Sequence, residues 1–334
     1  MATIQEVAKL ANVSVGSVSR YLNGHKLKDA NMKQIEAAIQ KLDYQQNYSA
    51  KGLKSNRTMS IGLLMNNAQS IFSAAMIATL ADELEKLGYS MLFSGFQKNK
   101  SQLGTKLDFL LSRKVDGLIV FEAEQEWQET KKLKNLDIPV VSINTPLDFP
   151  KVDSITMDNR ESTKLVVKKM IAYGHKEIGI IAGLQKDYIA RERLEGALEA
   201  FEEMQVPLIG HAKIYYGDYS KESGYAGLNS LLQQQTSAIF VCNYNMSLGA
   251  LQAISEKEIQ LGKELSFASF DYFDASDIFK PKLTVIRQPV TDISLLAAEQ
   301  IVKKIQEENT VDGEKFVIPN KILWRDSVRR MNPE

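Results

Sequence analysis

The chain has 334 residues, with 41 Lys plus Arg against 41 Asp plus Glu, so its formal net charge is zero. Apolar residues make up 44% and charged residues 25%, which is ordinary for a globular protein and excludes a collagen-like, disulfide-scaffold or wholly disordered chain. At roughly 150 residues per domain, the length predicts two or three domains. Cys242 is the only cysteine, so an intramolecular disulfide is impossible. No apolar run approaches the ~18 residues of a membrane span. Met1–Glu6 lacks the basic and apolar segments of a secretory signal. A cytoplasmic protein with no membrane partner is therefore expected.

The zero balance hides an asymmetry. Residues 1–58 carry nine basic and four acidic side chains, a local charge of +5. Residues 59–334 carry 32 and 37, a charge of −5. A basic head on an acidic body points to a polyanion that meets the head alone.

Thr3 and Glu6 have the spacing of a capping box, which satisfies two orphan amides at a helix start. Ile4, Val7, Ala8 and Ala11 follow at helical spacing. Asn12-Val13 breaks that helix, and Ser14 can cap a second one. Val13 before the cap and Val18 within the first turn match a hydrophobic staple. Val18 and Leu22 then face inward and leave Val15, Gly16, Ser17, Ser19 and Arg20 largely outward. Asn23-Gly24 offers a left-handed end. A third helix carries Ile35, Ala38, Ile39 and Leu42. Two short helices across a tight turn, braced by a third, make a helix-turn-helix layout. Small outward residues let a helix sit deep in a major groove, and one arginine can take guanine O6 and N7 together. A plain three-helix cap with a surface arginine would share the pattern.

The run Thr3-Ile4-Gln5-Glu6-Val7-Ala8-Lys9-Leu10-Ala11-Asn12-Val13-Ser14, continued by Val18-Ser19-Arg20-Tyr21-Leu22-Asn23-Gly24, resembles the head of the lac repressor/gal repressor family of bacterial transcription regulators. The similarity continues over nearly the whole chain. It implies that Val15, Gly16 and Arg20 read base edges. It implies too that Ser14 and Ser19 contact phosphates or support the helix, with Asn23 closing the DNA-contacting set of the head. Asn47–Lys54 resembles the family's hinge segment. That stretch is too short for a stable isolated helix, and Gly52 weakens it further. It is expected to fold on DNA, with Ala50 against the duplex and Leu53 wedged into a minor-groove base step. Gln46 replaces a common proline, Asp43 stands where a glycine usually ends the third helix, and Lys28 stands where a Ser or Thr cap is usual. The expected division is a head at 1–46, a hinge and linker at 47–58, and a body at 59–334.

The body alternates strand-like and helix-like segments. Short apolar runs lie at Ser60–Met65, Ser90–Phe96, Gly117–Phe121 and Pro139–Asn144, with helices near 72–87, 102–113 and 124–135. The pattern restarts with runs at Glu177–Ala182, Ala212–Gly217, Ala238–Asn243 and Leu265–Asp271. Helices are expected near 160–173, 191–204, 221–233 and 246–257. Alternation of this kind means α/β lobes with doubly wound parallel sheets. The resemblance adds that the body is built like a periplasmic binding protein. Its first lobe would hold about 59–159 and 289–318, and its second about 160–288 and 319–330.

Open parallel sheets bind ligands outside the carboxyl ends of their strands. Strand ends and nearby turns therefore supply the candidates Phe72, Asn144, Arg193, Tyr219, Asn243, Asp271 and Gln288. Carboxylate, amide and guanidinium groups hydrogen-bond adjacent hydroxyls, and an aromatic face covers the C–H side of a sugar. Arg193 and Asp271 would also suit a buried salt bridge, Asn243 a helix cap, and Phe72 and Tyr219 ordinary packing. The resemblance implies a small-molecule effector, most simply a sugar or sugar derivative. A purine or nucleoside, or a protein corepressor, are the alternatives.

His25, His175 and His211 are far apart and show no metal spacing. No HExxH, CxxC, GxSxG, Walker or GxGxxG motif is present. No catalytic residue, metal or cofactor is expected. A transport-type solute-binding protein would need a secretory signal and no basic head. The sequence is thus read as a homodimeric regulator, a repressor of carbohydrate-utilisation genes. Its partners are double-stranded operator DNA and an effector held between the lobes. The helix near Phe72–Leu87 and Val115-Asp116-Gly117 are candidate dimer contacts, and Trp324–Arg330 leaves no room for a leucine heptad tail.

Overall fold

The computed structural model describes residues 2–22, 25–44, 57–66, 68, 70–96, 100–307 and 311–331. The chain divides into two compact units, Met1–Met59 and Ser60–Glu334.

The first unit contains α1 (Ile4–Leu10), α2 (Val15–Leu22) and α3 (Asp29–Leu42). The capping box forms. The Thr3 hydroxyl accepts the Glu6 N–H at 3.3 Å, and the Glu6 carboxylate accepts the Thr3 N–H at 2.7 Å. The Ser14 hydroxyl accepts the Ser17 N–H at 3.1 Å, which caps α2. Val7, Ala8, Ala11, Val18, Ile35 and Ala38 are buried together, with Ile4, Val13, Leu22, Ile39 and Leu42 packed around them. Lys28 gives α3 no side-chain cap. Asp43 ends α3 in the left-handed region, at φ 45° and ψ 44°, the conformation a glycine would take at no steric cost.

The second unit holds two six-stranded sheets. The first contains β1 (Ser60–Met65), β2 (Ser90–Gly95), β3 (Gly117–Phe121), β4 (Val140–Ile143), β5 (Val152–Met157) and β11 (Lys315–Ile318) in the order β11-β5-β4-β3-β1-β2, all parallel. The second contains β6 (Ile178–Ala182), β7 (Ala212–Tyr216), β8 (Ala238–Val241), β9 (Ser266–Phe270), β10 (Thr284–Arg287) and β12 (Lys321–Leu323) in the order β12-β10-β9-β8-β6-β7. The strand order reverses between β1 and β3 and again between β6 and β8. These are the switch points where crevices open in doubly wound sheets.

Helices α4 (Ile71–Lys86) and α5 (Lys100–Ser112) follow β1 and β2, and α10 (Val290–Gln306) returns late in the chain to pack on β3 and β4. Around the second sheet lie α6 (Asn159–Ala172), α7 (Tyr188–Glu203), α8 (Lys221–Leu232) and α9 (Tyr244–Glu256). The pairs α6/α7 and α8/α9 pack closely. A Cβ on Gly249 would meet the Lys221 carbonyl oxygen at 1.8 Å, so glycine is what lets α9 lie against α8.

Several elements differ from the sequence expectation, which had no strand at β10 or β11 and no helix at α10. The segment near 124–135 is a 3-10 helix at Gln128–Asn135. The Thr130 hydroxyl donates to the Glu124 and Trp127 carbonyls at 3.0 and 2.6 Å, which competes with α-helical pairing. β12 pairs antiparallel with β10, so the second sheet is mixed at its edge. β5 was not expected as a strand, because Asp153, Ser154 and Thr156 interrupt any apolar run.

Those polar residues of β5 are nevertheless inside, and the reason is a compensated charge. Asp153 and the Lys304 ammonium of α10 lie 3.0 Å apart, with side chains 0% and 3% exposed. Asp153 also accepts the Glu314 N–H at 2.8 Å. Lys304 donates to the Lys151 carbonyl at 3.1 Å. The pair joins β5 to the helix that covers it. Lys304→Met should leave a buried carboxylate without its partner and cost about 3–5 kcal/mol in urea unfolding, while Asp153→Leu added to it should recover most of the loss. A single variant that unfolds at the wild-type midpoint would show that the pair stabilises nothing.

Candidate functional site

The head presents α2 by the geometry of its own core. Val18 is fully buried, while Val15 is 43% exposed and Ser14, Gly16 and Arg20 are exposed beside it. Ser19 is half-buried. Gly16 has room for a side chain, since a Cβ there would find only the Ser14 hydroxyl at 3.7 Å. The packing of the head therefore does not ask for glycine at this position. Asn23, Ala50 and Leu53 lie outside the described residues.

In the body, one cavity opens at the carboxyl ends of both sheets. Phe72, Asn144, Arg193, Tyr219, Asn243, Asp271 and Gln288 all line it. The cavity holds about 140 Å³, the scale of an interior space that takes a single six-membered ring. Asn144, Asp271 and Tyr219 follow β4, β9 and β7 with φ of 73°, 74° and 68°. Glu122, which follows β3, has φ 56°. Non-glycine residues in this region carry strain, and strain of this kind collects where side chains must be aimed.

The contacts show how each side chain is held. Arg193 lies in the second turn of α7. Its Nε donates to the Asn159 side-chain oxygen at 2.9 Å and its Nη1 to the Cys242 carbonyl at 2.7 Å. Its guanidinium sits 3.5 Å from the Phe270 ring centroid. Asp271 accepts the Tyr244 N–H at 3.0 Å and the Gln288 amide at 2.5 Å. No Arg193–Asp271 salt bridge is present among the described residues. Asn243 accepts the Met246 N–H at 3.0 Å, so it caps α9 while it lines the cavity. Phe72 packs on Phe121, with ring centroids 5.9 Å apart. Tyr219 hydrogen-bonds Asp187, and burial raises its hydroxyl pKa well above the ordinary value.

Sequence reasoning missed Asn66, Glu122, Glu124, Trp127 and Asp187, which also line the cavity. Asn66 and Glu122 stand directly after apolar strands, so the strand-end rule would have found both. The Asn144 amide donates to Glu122 at 3.0 Å. Burial pushes the Glu122 carboxyl up to about 7, and the Glu124 carboxyl likewise. Both Glu124 oxygens accept the Tyr188 N–H at 3.1 Å, so a carboxylate from the first lobe caps α7 of the second. Three amide oxygens, on Asn66, Asn144 and Gln288, are buried with no hydrogen-bond partner.

His175 is a packing residue. Its Nδ1 lies 2.9 Å from the Ser237 hydroxyl and its Nε2 3.1 Å from the Arg329 carbonyl. Among the described residues no His, Cys, Asp and Glu side chains gather to hold a metal ion. No described helix is long and apolar enough to cross a membrane.

Comparison with known proteins bears on both units. Residues 3–47 match the family of bacterial regulatory proteins, lacI family, and residues 61–276 match the periplasmic binding protein domain. The chain is 30% identical over 336 residues to the HTH-type transcriptional repressor PurR of Actinobacillus pleuropneumoniae serotype 3 (strain JL03), covering 99% of this chain and 100% of the relative. It is 28% identical over 331 residues to catabolite control protein A of Priestia megaterium, covering 98% and 99%. Its structure is similar to that of the lac repressor dimer bound to operator and the anti-inducer ONPF. The TM-score is 0.81 at 25% identity, over 98% of this chain and 99% of that one.

The two raised carboxyls make stability depend on pH. A glutamate whose pKa rises on folding takes up a proton as the chain folds. Its contribution is most favourable below the unfolded value near 4.5 and is lost as pH rises to about 7. The melting temperature should therefore fall between about pH 5 and 7, and Glu122→Gln should flatten that fall and raise the melting temperature near pH 8. Identical pH profiles for the variant and the wild type would place Glu122 outside this linkage.

Proposed function

Because the chain belongs to the lacI family of bacterial regulatory proteins, and so is a DNA-binding transcription repressor with an effector-binding domain rather than an enzyme, we propose that it acts as a homodimer on double-stranded operator DNA and that a sugar or sugar derivative in the body's cavity sets its operator affinity. The genes it controls would then serve carbohydrate use. One helix-turn-helix head reads few base pairs, so useful specificity calls for two heads on a pseudo-palindrome. The lac repressor structure, a dimer on operator, supports that arrangement.

In this reading Val15, Gly16 and Arg20 meet base edges, and Ser14, Ser19 and Asn23 hold the backbone. The exposure of Val15, Gly16 and Arg20 together on α2 supports it. Ala50 and Leu53 would meet the minor groove from the hinge.

The observation that carries the effector is a cavity lined by the carboxylates of Glu122 and Asp271, the side chains of Asn243 and Asn245, and the rings of Phe72 and Trp127. Sugar hydroxyls donate to such carboxylates, and sugar C–H groups lie on such rings. The second reading is a purine, favoured by the relatives of the PurR type. Either ligand must be coupled to operator binding reciprocally, so operator DNA changes effector affinity by the same factor.

Arg20→Ala should weaken binding to the operator by about 1–3 kcal/mol more than binding to unrelated DNA, measured by titration at fixed salt. Equal losses on both DNAs would make Arg20 a phosphate contact. Asp271→Ala should abolish the effector response and leave operator binding intact. The effector class itself is read by thermal unfolding against sugars, sugar phosphates and purines, where a ligand at 100 times its Kd adds about 2.7 kcal/mol. A shift with a purine alone would overturn the sugar reading, and no shift across the panel would turn attention to a protein corepressor.

A further inference from the structure

The first N–H groups of a helix have no partner within it, and a Ser, Thr, Asp or Asn at the N-cap normally accepts one of them. Three helices that begin beside the cavity follow this rule. Ser70 accepts the Ser73 N–H before α4, Ser220 the Ser223 N–H before α8, and Asn243 the Met246 N–H before α9. α7 does not. Its N-cap residue is Asp187, a good capping type in extended backbone, yet that side chain makes no cap bond to α7 and accepts the Tyr219 hydroxyl instead. The Tyr188 N–H is taken by Glu124, whose two oxygens both lie at 3.1 Å.

That cap crosses from one lobe to the other, and both lobes are built around it. In the first lobe the Thr130 hydroxyl, fully buried, sits 3.0, 3.3 and 2.6 Å from the carbonyls of Glu124, Gln125 and Trp127. The Gln125 side-chain oxygen accepts the Asp148 N–H, and the Trp127 ring stands edge-on to Phe96 at 5.9 Å. The backbone that carries Glu124 is thus fixed to its own lobe. In the second lobe Arg191, in the first turn of α7, donates to the Lys186 carbonyl at 2.8 Å and reaches Glu124 and Glu126 at 3.9 and 4.0 Å. Glu124 therefore meets an amide, the positive end of a helix and a guanidinium. It is 4% exposed, and burial raises its carboxyl to about 7, a cost that these groups partly offset.

We infer that Glu124 is a positioning residue for the cavity, a latch that caps α7 from the opposite lobe and so holds the two lobes closed. The start of α7 gives Lys186, Asp187 and Ile189 to the lining. Its first turn is capped by Glu124 only while the lobes are together. Parting them returns the carboxylate to water and takes from the Tyr188 N–H the acceptor it has. The lining on this side and the angle between the lobes are therefore set by one contact. The latch requires only that the cavity lie between the lobes, and it holds for a sugar or a purine alike.

The test is the distance between spin labels on the two lobes of the full chain, measured by double electron–electron resonance with no effector added. The labels go on Thr105→Cys in α5 and Glu202→Cys in α7, both exposed, while Cys242 is buried. Labelled chain is diluted into unlabelled chain so that only distances within one chain are read. Glu124→Ala should lower the ratio of closed to open lobes about tenfold, the scale of one hydrogen bond to a charged group. Glu124→Gln keeps an oxygen that accepts the same N–H and should recover most of the closed form. Tyr188→Pro removes the N–H itself at the first helical position, where proline is favoured. Asp187 before it already has the extended backbone that proline demands, at φ −95° and ψ 134°. This variant should open the lobes as Glu124→Ala does, and the two changes together should open them no further. A wild-type distance in either variant, or lengthening that adds in the double variant, would overturn the latch. So would Glu124→Gln as open as Glu124→Ala. Tyr188→Pro decides the matter where Glu124→Ala does not fold. Because no effector is present, none of these results bears on the effector's class.

Discussion

A parallel strand delivers the chain to the carboxyl edge of its sheet, and the next helix must carry it back before another parallel strand can begin. In this body that constraint acts twice. Both sheets reverse their strand order after the first strand, between β1 and β3 and between β6 and β8. Helices on either side of each reversal leave in opposite directions and open a crevice there. The residues that end β3, β4, β8 and β9 are Glu122, Asn144, Cys242-Asn243 and Asp271, and all but Cys242 reach the cavity. Left-handed backbone at Glu122, Asn144, Tyr219 and Asp271 turns the chain sharply enough to aim these side chains inward.

Buried charge separates what builds the protein from what the protein uses. Asp153 and Lys304 are as deep as any charged groups in the fold, yet they face each other at 3.0 Å with further bonds to backbone carbonyls and an amide. His175 is likewise satisfied at both ring nitrogens. These groups hold β5, α10 and the C-terminal segment in place. In the cavity, burial raises the carboxyls of Glu122 and Glu124 to about 7, and Asp271 is held by the Gln288 amide and the Tyr244 N–H.

The two units also divide the chemistry of recognition. The head carries the positive balance and exposes a glycine its own packing does not need, beside an exposed arginine. That is suited to a polyanion read at close range. The body carries the negative balance, and inside it the cavity is lined by carboxylates, amides and rings. Glu124 connects the lobes directly, since a side chain following β3 caps α7 across the cavity. Any ligand that changes the distance between the lobes acts on that contact.

Local rules determined much of this from the sequence alone. The head is legible because caps, staples and helical spacing act within a few residues. The Thr3–Glu6 box, the Ser14 cap and the core of Val7, Val18 and Ile35 follow from them. The alternation of apolar runs and helices is legible for the same reason, and with it the placement of strand ends. Tertiary structure decided what depends on partners far along the chain. β5 is a strand because Lys304 neutralises Asp153 from 151 residues away, and no local pattern shows that. Glu122 stands where the strand-end rule reaches it, but only the packing around Glu122 and Glu124 raises their pKa values, and no local pattern places Glu124 in the cavity. Arg193 and Asp271 both line the cavity, yet each takes different partners, because a hydrogen bond depends on direction as well as proximity.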